Sequence, residues 1–275
     1  MTQENTEYDH KNNVKLLLDL KGKVALVTGA SFGGLGYYSS EALAEAGAKL
    51  AVSDIEARKD DLALTKAHLE RIGADVASLY IDVSNPDSVE KGVKNVEKTF
   101  GKIDILLNNA GIMLRKPALD MTIEEWDKVI DVNLKGTWLM DREVARSMIK
   151  EGNKEGRRII NVASGYATMV GAIPESAYVA SKAGIANLTR DLAMEWASFG
   201  INVNCIAPGV FYPTNMTMPL SKDPGRLETM GKRSIKGRLG NPKKDLKGLV
   251  VFLASDASEY ITAQLIFADG GWNAW

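Results

Sequence analysis

Seven short apolar runs alternate with longer stretches of helical periodicity along most of the chain. The runs are rich in Val, Ile and Leu and occupy positions 24–28, 49–53, 76–80, 103–108, 158–164, 201–207 and 264–269. Between them, segments such as 61–73 and 88–100 repeat apolar residues three or four positions apart, as amphipathic helices do. Apolar strands joined by helices are typical of a parallel sheet covered on both faces. The pattern therefore predicts an α/β fold with one doubly wound, mostly parallel, seven-stranded sheet and helices on both faces.

The alternation contains no linker rich in Pro, Gly or Ser and no internal repeat, so we predict one domain over residues 21–275. Residues 1–20 begin with a polar, acidic stretch without the pattern of a secretory signal, and we expect them to form an N-terminal arm. One long break, about 208–240, carries four prolines and several glycines. Because an insert of that size in a compact domain is often functional, we interpret it as a substrate lid.

Composition narrows the classes of partner. The 275 residues carry a formal net charge of −1 without a block of like charge, so neither nucleic acid nor an anionic membrane is an expected partner. No apolar run approaches the roughly 20 residues needed to cross a bilayer. The single cysteine, Cys205, lies in an apolar run, which favours a buried residue and a cytoplasmic protein. With only two histidines, His10 and His68, no metal site is expected.

A cluster of glycines, Gly29, Gly33, Gly34 and Gly36, separates the first predicted strand from a helical segment. Glycines at such a turn let backbone N–H groups approach a phosphate, and the following helix N-terminus adds partial positive charge. Asp54 ends the second predicted strand, 18 positions after Gly36, where a carboxylate can accept both hydroxyls of an adenosine ribose. The same carboxylate would repel a 2′-phosphate, so the pattern favours NAD over NADP. A tight turn and a helix-capping aspartate are the simpler alternative.

A second group, Ser164, Tyr178 and Lys182, can carry proton-transfer chemistry. Tyr178 and Lys182 stand four positions apart at the start of a long amphipathic segment, so they share a helix face. A neighbouring ammonium stabilises a phenolate, so we expect Lys182 to lower the pKa of Tyr178 and make it a general acid or base. Ser164 ends a predicted strand, and its hydroxyl could hold a carbonyl or alcohol oxygen. Taken alone, this Tyr–Lys spacing also occurs on many solvent-facing helices.

In sequence order these residues resemble the single-domain short-chain dehydrogenases/reductases, over roughly residues 15–271. The resemblance rests on the glycine loop and an ordered set of motifs: Asp54, Asp82-Val83, the NNAG run 108–111, Asn133 in VNLKG, Ser164, YVASK at 178–182, Pro208-Gly209 and DGG at 269–271. Compared with the family pattern, the glycine loop has one extra residue. Ser164 precedes Tyr178 by 14 positions instead of 13, and Thr214 follows Pro208 by six instead of five. These differences fall in the loops around the cofactor and the substrate.

The resemblance implies a Rossmann fold and a catalytic group of four residues. Tyr178 would be the general acid/base, and Ser164 would orient the reacting oxygen. Lys182 would lower the pKa of the tyrosine and bind ribose, and Asn133 would anchor a water relay behind it. The cofactor, NAD, would contact Gly29, Ser31, Phe32, Gly34, Leu35, Gly36, Asp54, Ile55, Asp82, Val83, Asn109, Ala110, Gly111, Tyr178, Lys182, Pro208, Gly209, Phe211 and Thr214.

The resemblance also implies an NAD(H)-dependent oxidoreductase that moves hydride between nicotinamide and a secondary alcohol or ketone. The run 115–136 resembles family members that act on sugar acids and polyols, which favours a small polar substrate. Arg115 could hold a substrate carboxylate through paired hydrogen bonds, and Tyr212 is a second candidate substrate residue. A solvated basic loop is the alternative for Arg115. For the protein, the alternatives are an NADP-linked reductase of a keto-acyl or xenobiotic carbonyl and an inactive nucleotide-binding protein.

Assembly is expected to involve two long helical segments, 122–150 and 176–199, whose apolar positions include Trp126, Trp138 and Met194. The resemblance implies a homotetramer in which these faces pair. The closing sequence GWNAW places Trp272 and Trp275 at an otherwise exposed terminus. Large exposed aromatic residues often mark an interface, so we predict that this terminus lies near a neighbouring subunit's active site.

Overall fold

The apolar runs form seven strands within the residues that the computed structural model describes, 13–150, 152 and 156–274. The strands are β1 (Val24–Thr28), β2 (Lys49–Asp54), β3 (Val76–Tyr80), β4 (Ile105–Asn108), β5 (Arg157–Val162), β6 (Ile201–Pro208) and β7 (Leu265–Ala268). Their order in the sheet is β3-β2-β1-β4-β5-β6-β7, and every neighbouring pair is parallel. The predicted α/β fold and its seven strands are confirmed, and the sheet is wholly parallel.

Helices connect successive strands, as parallel crossovers require. They are α1 (Val14–Leu17), α2 (Leu35–Glu45), α3 (Lys59–Arg71), α4 (Pro86–Phe100), α5 (Ile123–Ile130), α6 (Gly136–Lys150), α7 (Ser176–Trp196), α8 (Pro224–Arg233) and α9 (Lys247–Ala254). A π-helical turn, Asp131–Lys135, joins α5 to α6. Among the described residues, no helix combines the length and apolarity needed to cross a membrane.

Strand β1 shows why the sheet needs helices on both faces. Its five residues are all buried. Ala25 and Val27 belong to one apolar cluster, whereas Val24 and Leu26 belong to the other. Since successive strand residues point to opposite faces, each face of the sheet carries its own core.

The strand order turns around between β1 and β4, because the chain first builds β2 and β3 on one side and then crosses to the other. Such a switch point leaves a crevice outside the carboxyl ends of the strands, where ligands of open α/β sheets bind. The loops after β1, β4, β5 and β6 therefore meet at one edge of the sheet. These loops carry most of the glycine cluster, Asn109 to Gly111 of the NNAG run, Ser164 and Gly209.

The predicted N-terminal arm and the predicted lid both contain helical structure. Residues 1–12, with His10, lie outside the described residues, but α1 belongs to the predicted arm and Leu20 is fully buried. The predicted lid contains a 3₁₀ turn, Met218–Lys222, followed by α8. Asp223 is the N-cap residue of α8, and its side chain accepts a hydrogen bond from the Arg226 N–H (3.0 Å).

Candidate active site

The glycine loop after β1 is packed too tightly for side chains. A Cβ atom on Gly36 would lie 2.3 Å from the carbonyl oxygen of Gly29 and 2.7 Å from Nδ2 of Asn109. Gly29 has a φ of +63°, in the left-handed region that favours glycine. Gly34 takes the N-cap position of α2 without a side-chain cap, so the first N–H groups of this 11-residue helix are not satisfied by a capping side chain.

Asp54 anchors this loop to the second strand. Its Oδ2 accepts a hydrogen bond from the Ser31 N–H (3.2 Å), and its Oδ1 accepts one from the Ile55 N–H (2.8 Å). Each carboxylate oxygen keeps a further acceptor position. The hydroxyl of Ser31 is buried and has no hydrogen-bond partner among the described residues. An unpartnered buried hydroxyl beside a glycine loop is explained if a ligand supplies the missing partner.

The extra residue of the loop lies where the lid touches it. Gly33 has a φ of +81°, and a Cβ there would lie 2.9 Å from Oδ1 of Asn215. Asn215 donates through Nδ2 to the Phe32 carbonyl (2.7 Å), and its backbone N–H donates to the Gly33 carbonyl (3.2 Å). The predicted lid segment thus makes two direct hydrogen bonds to the glycine loop, both through Asn215.

The NNAG run forms a second wall of the crevice. The Thr28 hydroxyl accepts hydrogen bonds from the N–H groups of Asn109 and Ala110, both at 3.0 Å. Asn109 also donates through Nδ2 to the carbonyls of Thr28 (3.1 Å) and Gly29 (2.9 Å). These bonds hold the loop after β4 against the glycine loop after β1.

The other residues predicted to contact the cofactor divide into exposed and buried groups. Asp82 is exposed, and its Oδ1 accepts hydrogen bonds from the N–H and hydroxyl of Ser84 (3.0 and 2.6 Å). Val83 is 5 % exposed and packs in the core. Phe211 is also a core residue, at 3 % exposure, and the Thr214 hydroxyl lies 2.9 Å from that of Thr217. The remaining members lie on the glycine loop or at the strand ends: Leu35, Pro208 and Gly209.

Tyr178 and Ser164 line the same cavity, together with Pro208 and Gly209 at the end of β6. Tyr178 is only 5 % exposed, in the first turn of α7. Burial raises the pKa of Tyr178 to about 12, although the Ser164 hydroxyl acts in the opposite direction. The sequence predicts a lowered pKa for Tyr178, and that prediction is wrong for the protein without a bound ligand.

Lys182 is buried beside Tyr178, and its own pKa is shifted as well. Its Nζ lies 5.7 Å from the centroid of the Tyr178 ring and donates a hydrogen bond to the Val162 carbonyl (2.7 Å). Burial lowers the pKa of Lys182 to about 8. Burial is the largest cause of both pKa shifts, because it disfavours the charged form of each group.

Asn133 fastens the loop after β4 to α7. Its Oδ1 accepts a hydrogen bond from the Ile112 N–H (2.8 Å), while Nδ2 donates to the Ile112 carbonyl (2.9 Å) and the Ser181 hydroxyl (3.0 Å). A Cβ atom on Gly111 would lie 3.3 Å from Asn133 Oδ1 and 3.5 Å from Lys182 Nζ. The side chain of Asn133 is thus occupied in holding the site together.

A buried carboxyl group, Asp141, lies behind this site. It is fully buried; Oδ1 accepts a hydrogen bond from Asn108 Nδ2 (3.1 Å) and Oδ2 accepts one from Asn161 Nδ2 (2.9 Å). Burial raises the pKa of Asp141 to about 7, and the two amide hydrogen bonds only partly offset it. Since its folded pKa exceeds its unfolded value, the native state holds the proton more tightly and stability falls as pH rises from about 4 to about 7.

We expect Asp141→Asn to remove this pH dependence. Between pH 5 and pH 8 the wild type should lose about 3 kcal/mol of unfolding free energy from this group alone, and the variant should not. Urea unfolding at pH 5 and pH 8 measures the difference. Asp127→Asn, at an exposed position of α5, is the matched control and should follow the wild type. Equal pH slopes for wild type and D141N would contradict a neutral buried carboxyl group.

Arg115 lies in the loop after β4 and lines the same cavity as Ser164 and Tyr178. Its Nε donates to Oε1 of Glu175 (2.9 Å), and its side chain is 34 % exposed. The neighbouring Lys116 points elsewhere: its Nζ pairs with Glu125 at 2.7 Å, and it does not line this cavity. Tyr212 is likewise not a lining residue; its N–H donates to the Gly240 carbonyl (2.9 Å), and lid residues such as Met216 and Leu220 line the cavity instead.

The sequence does not identify three residues that complete this cavity: Tyr166, Glu175 and Trp272. Tyr166 packs edge-to-face on Tyr178, with ring centroids 6.4 Å apart. Glu175 is the N-cap residue of α7, three positions before Tyr178, and this closeness in sequence could have revealed it. Trp272 directly follows the DGG motif, and only the fold brings it to the cavity.

The C-terminal prediction is corrected for Trp272, which is 7 % exposed and packs against its own subunit's cavity. The Arg233 guanidinium of α8 lies 5.1 Å from its ring centroid. Next to it, Asn273 accepts a hydrogen bond from the Thr168 hydroxyl (3.1 Å) and donates to Asp269 (3.0 Å). Trp275 lies outside the described residues.

A wholly parallel doubly wound sheet, a glycine loop at its switch point, and Ser164 beside a buried Tyr178–Lys182 pair together define a dinucleotide-dependent oxidoreductase. A family model described as "Enoyl-(Acyl carrier protein) reductase" matches residues 29–273. The chain belongs to the short-chain dehydrogenase/reductase family.

Individual relatives are similar over almost the whole chain. The chain is 41 % identical to a 2-dehydro-3-deoxy-D-gluconate 5-dehydrogenase of Dickeya dadantii, over 93 % of this chain and 97 % of that protein. It is 37 % identical to an NAD-dependent glycerol dehydrogenase of Listeria innocua, over 92 % and 95 %. Among solved structures, a gluconate 5-dehydrogenase of Burkholderia cenocepacia in complex with NADP and tartrate superposes with a TM-score of 0.88 at 32 % identity, covering 96 % of this chain and all of that one.

The residues present fit a nicotinamide dinucleotide. The close approach at Gly36, the uncapped start of α2 and the unpartnered hydroxyl of Ser31 suit a phosphate-bearing ligand on the glycine loop. The protein is thus an oxidoreductase that uses a nicotinamide cofactor.

Proposed function

We propose that this protein is an NAD(H)-dependent dehydrogenase of a polyhydroxy acid, which interconverts a secondary alcohol and a ketone. The observation that carries the proposal is the shared cavity of Ser164, Tyr178 and Arg115. It places a candidate proton donor and a candidate carboxylate-binding group within one small-molecule site. The names of the Dickeya and Burkholderia relatives, both gluconate-type dehydrogenases, support the same substrate class.

In the proposed mechanism, bound nicotinamide supplies or accepts the hydride. Tyr178 exchanges the proton with the substrate oxygen, and the Ser164 hydroxyl holds that oxygen in place. Because burial raises the pKa of Tyr178 to about 12, the phenol is protonated at neutral pH, which is the form that donates to a carbonyl. Oxidation of the alcohol needs the phenolate, which Lys182 stabilises when its own amine is charged.

Selectivity for NAD is proposed from Asp54. Its two oxygens hold the N–H groups of Ser31 and Ile55, which fixes the carboxylate at the end of β2. A 2′-phosphate close to it would meet like charge, whereas ribose hydroxyls would donate to it. The NAD-dependent Listeria relative agrees with this proposal, while the Burkholderia structure contains NADP, so the comparison of cofactors is a direct test.

A coupled absorbance assay tests the proposed function. Purified protein is assayed with NAD and, separately, NADP against D-gluconate, its 3-deoxy relative, polyols, hydroxyacyl thioesters and simple cyclic alcohols, and with NADH and NADPH against the 2-keto and 5-keto relatives of D-gluconate. We expect turnover of at least one sugar acid, with a higher kcat/KM for NAD. Preference for NADP would refute the role of Asp54, and turnover of thioesters alone would refute the substrate class.

Arg115→Met should raise KM for the sugar acid by about 100-fold with little change in kcat. The guanidinium contributes charge-assisted hydrogen bonds to the carboxylate, worth about 1.5–3 kcal/mol, in ground and transition states alike. Initial-rate kinetics measure this effect. Lys116→Met removes the adjacent positive charge, whose partner is Glu125 outside the cavity, and should leave KM close to that of the wild type. Equal effects of both variants would indicate long-range charge attraction instead of a contact.

The lid and the assembly belong to the same proposal. Part of the 208–240 segment lines the cavity and would close over bound substrate; its residues there include Met216, Thr217, Leu220 and Met230.

Helices α5–α7 retain partly exposed apolar residues, among them Trp126 (38 %), Trp138 (39 %) and Met194 (69 %). We propose that these faces pair in a homotetramer, which analytical ultracentrifugation would test.

A further inference from the structure

Glu175 presents a buried carboxylate oxygen with no donor. Its side chain is 1 % exposed, and Oε1 accepts the hydrogen bond from Arg115 Nε at 2.9 Å. The second oxygen, Oε2, is buried and has no hydrogen-bond partner among the described residues. A buried charged acceptor without a donor is costly, and native structures rarely leave one so unless a ligand or water satisfies it.

This oxygen belongs to a rigid part of the cavity. Glu175 is the residue before the first turn of α7, three positions ahead of Tyr178, and both line the cavity together with Arg115. The Lys116 N–H donates to the Pro174 carbonyl (3.0 Å), which ties the loop of Arg115 to the segment of Glu175. The ion pair is therefore held by backbone as well as by side-chain contacts.

The Arg115–Glu175 pair offers a ligand both a hydrogen-bond donor and a hydrogen-bond acceptor. Arg115 provides guanidinium donors, while Glu175 provides an acceptor, and the two formal charges cancel. A bare carboxylate would find a donor at Arg115 but also an unpaired negative oxygen at Glu175. A carboxylate-bearing molecule with hydroxyl groups satisfies both, because a hydroxyl can donate to Oε2 while the carboxylate accepts from the guanidinium.

We infer that Glu175 is a specificity-determining residue, whose Oε2 accepts a hydrogen bond from a substrate hydroxyl other than the one that is oxidised. The inference rests on the proposed function and narrows its substrate class. The protein would select hydroxylated acids over deoxygenated analogues, since a site built to bind a hydroxyl rejects a ligand that lacks it. The competing explanation is that Glu175 only positions Arg115.

Glu175→Gln separates these explanations. Glutamine can still accept from Arg115 through its oxygen, but its amide group then offers a donor to the cavity in place of the carboxylate acceptor. The probes are D-gluconate and its 2-, 3-, 4- and 6-deoxy derivatives, and the measured quantity is the ratio of kcat/KM for each hydroxylated and deoxygenated pair.

We expect the wild type to disfavour one deoxy derivative by about 10- to 100-fold, the range of a hydrogen bond to a charged group. In E175Q that penalty should fall by about tenfold, because the amide can still donate to the hydroxyl but the hydrogen bond is no longer charge-assisted, while the ratios for the other derivatives stay unchanged. The control, Glu125→Gln, changes a carboxylate paired with Lys116 outside the cavity and should keep the wild-type ratios. A uniform loss of activity in E175Q over all five compounds would overturn the inference and leave Glu175 as a support for Arg115.

Failure of the proposed function gives a different result. If the wild type oxidises no sugar acid but does oxidise polyols, the same ratios are measured with D-sorbitol and its deoxy derivatives, and a selective loss of one penalty in E175Q would still support the role of Glu175. Activity with neither sugar acids nor polyols would refute both the inference and the substrate class.

Discussion

Replacing Tyr178 by phenylalanine should lower kcat by about 10³-fold in both directions of the reaction, because the variant loses the group that exchanges the proton. The aromatic ring, its contact with Tyr166 and its burial stay in place, so the fold and cofactor binding should be largely preserved. Steady-state kinetics measure turnover, and titration of the bound NADH fluorescence measures cofactor affinity. Both measurements are needed, because loss of turnover alone would also follow from loss of cofactor binding.

Tyr260→Phe is the matched control, since Tyr260 is fully exposed and far from the cavity lining. It should behave as the wild type in both measurements. Turnover retained in Y178F would assign the proton transfer to another group, and the proposed mechanism would then fail. Loss of NADH binding in Y178F would instead show that the hydroxyl mainly supports the cofactor.

Replacing Gly36 by alanine should disrupt the cofactor site by crowding the backbone. The new methyl group would lie 2.3 Å from the Gly29 carbonyl oxygen and 2.7 Å from Asn109 Nδ2, so the glycine loop or α2 must move. Overpacking of this kind costs about 1–3 kcal/mol of stability. Because the loop that moves is the proposed phosphate site, we also expect at least about a tenfold loss of NADH affinity. Urea unfolding and fluorescence titration measure the two effects.

Gly248→Ala provides an internal comparison of the same substitution. Gly248 lies within α9, is exposed and has no heavy atom within 4 Å of an added Cβ, so alanine should raise stability by about 0.5–1 kcal/mol through its higher helix propensity. The two glycine variants should therefore shift stability in opposite directions. Wild-type stability and NADH affinity in G36A would show that the close approach at this loop is not required.

The local pattern of apolar residues was sufficient to predict where most strands of the sheet lie. Each predicted strand is present, and β1 and β3 have the predicted bounds, because a buried parallel strand needs a nearly continuous apolar run. The predicted lid was less accurately described. Its prolines marked a break in the pattern of strands and helices, yet Pro219 and Pro224 stand at helix N-terminal positions, where a missing N–H has no cost.

The sequence predicted that Ser164 and Tyr178 share a site, and both line one cavity, but the direction of the tyrosine pKa shift was not predicted. Spacing indicates that Tyr178 and Lys182 share a helix face, and the fold places Lys182 5.7 Å from the tyrosine ring. The sign of the pKa shift depends on burial, which comes from elements distant in sequence. Burial raises the pKa of Tyr178 and lowers that of Lys182, opposite to what proximity of the two groups alone predicts.

The sequence by itself determined the parallel sheet and the position of the glycine loop, because both follow from periodicity and spacing along one chain. Only the tertiary structure decided which distant side chains share the cavity. It brings Arg115 and Trp272 from distant segments to the cavity of Tyr178 and Glu175, and it leaves one oxygen of Glu175 without a donor among the described residues. Such contacts depend on how loops meet across the sheet edge, and local sequence patterns contain no record of that geometry.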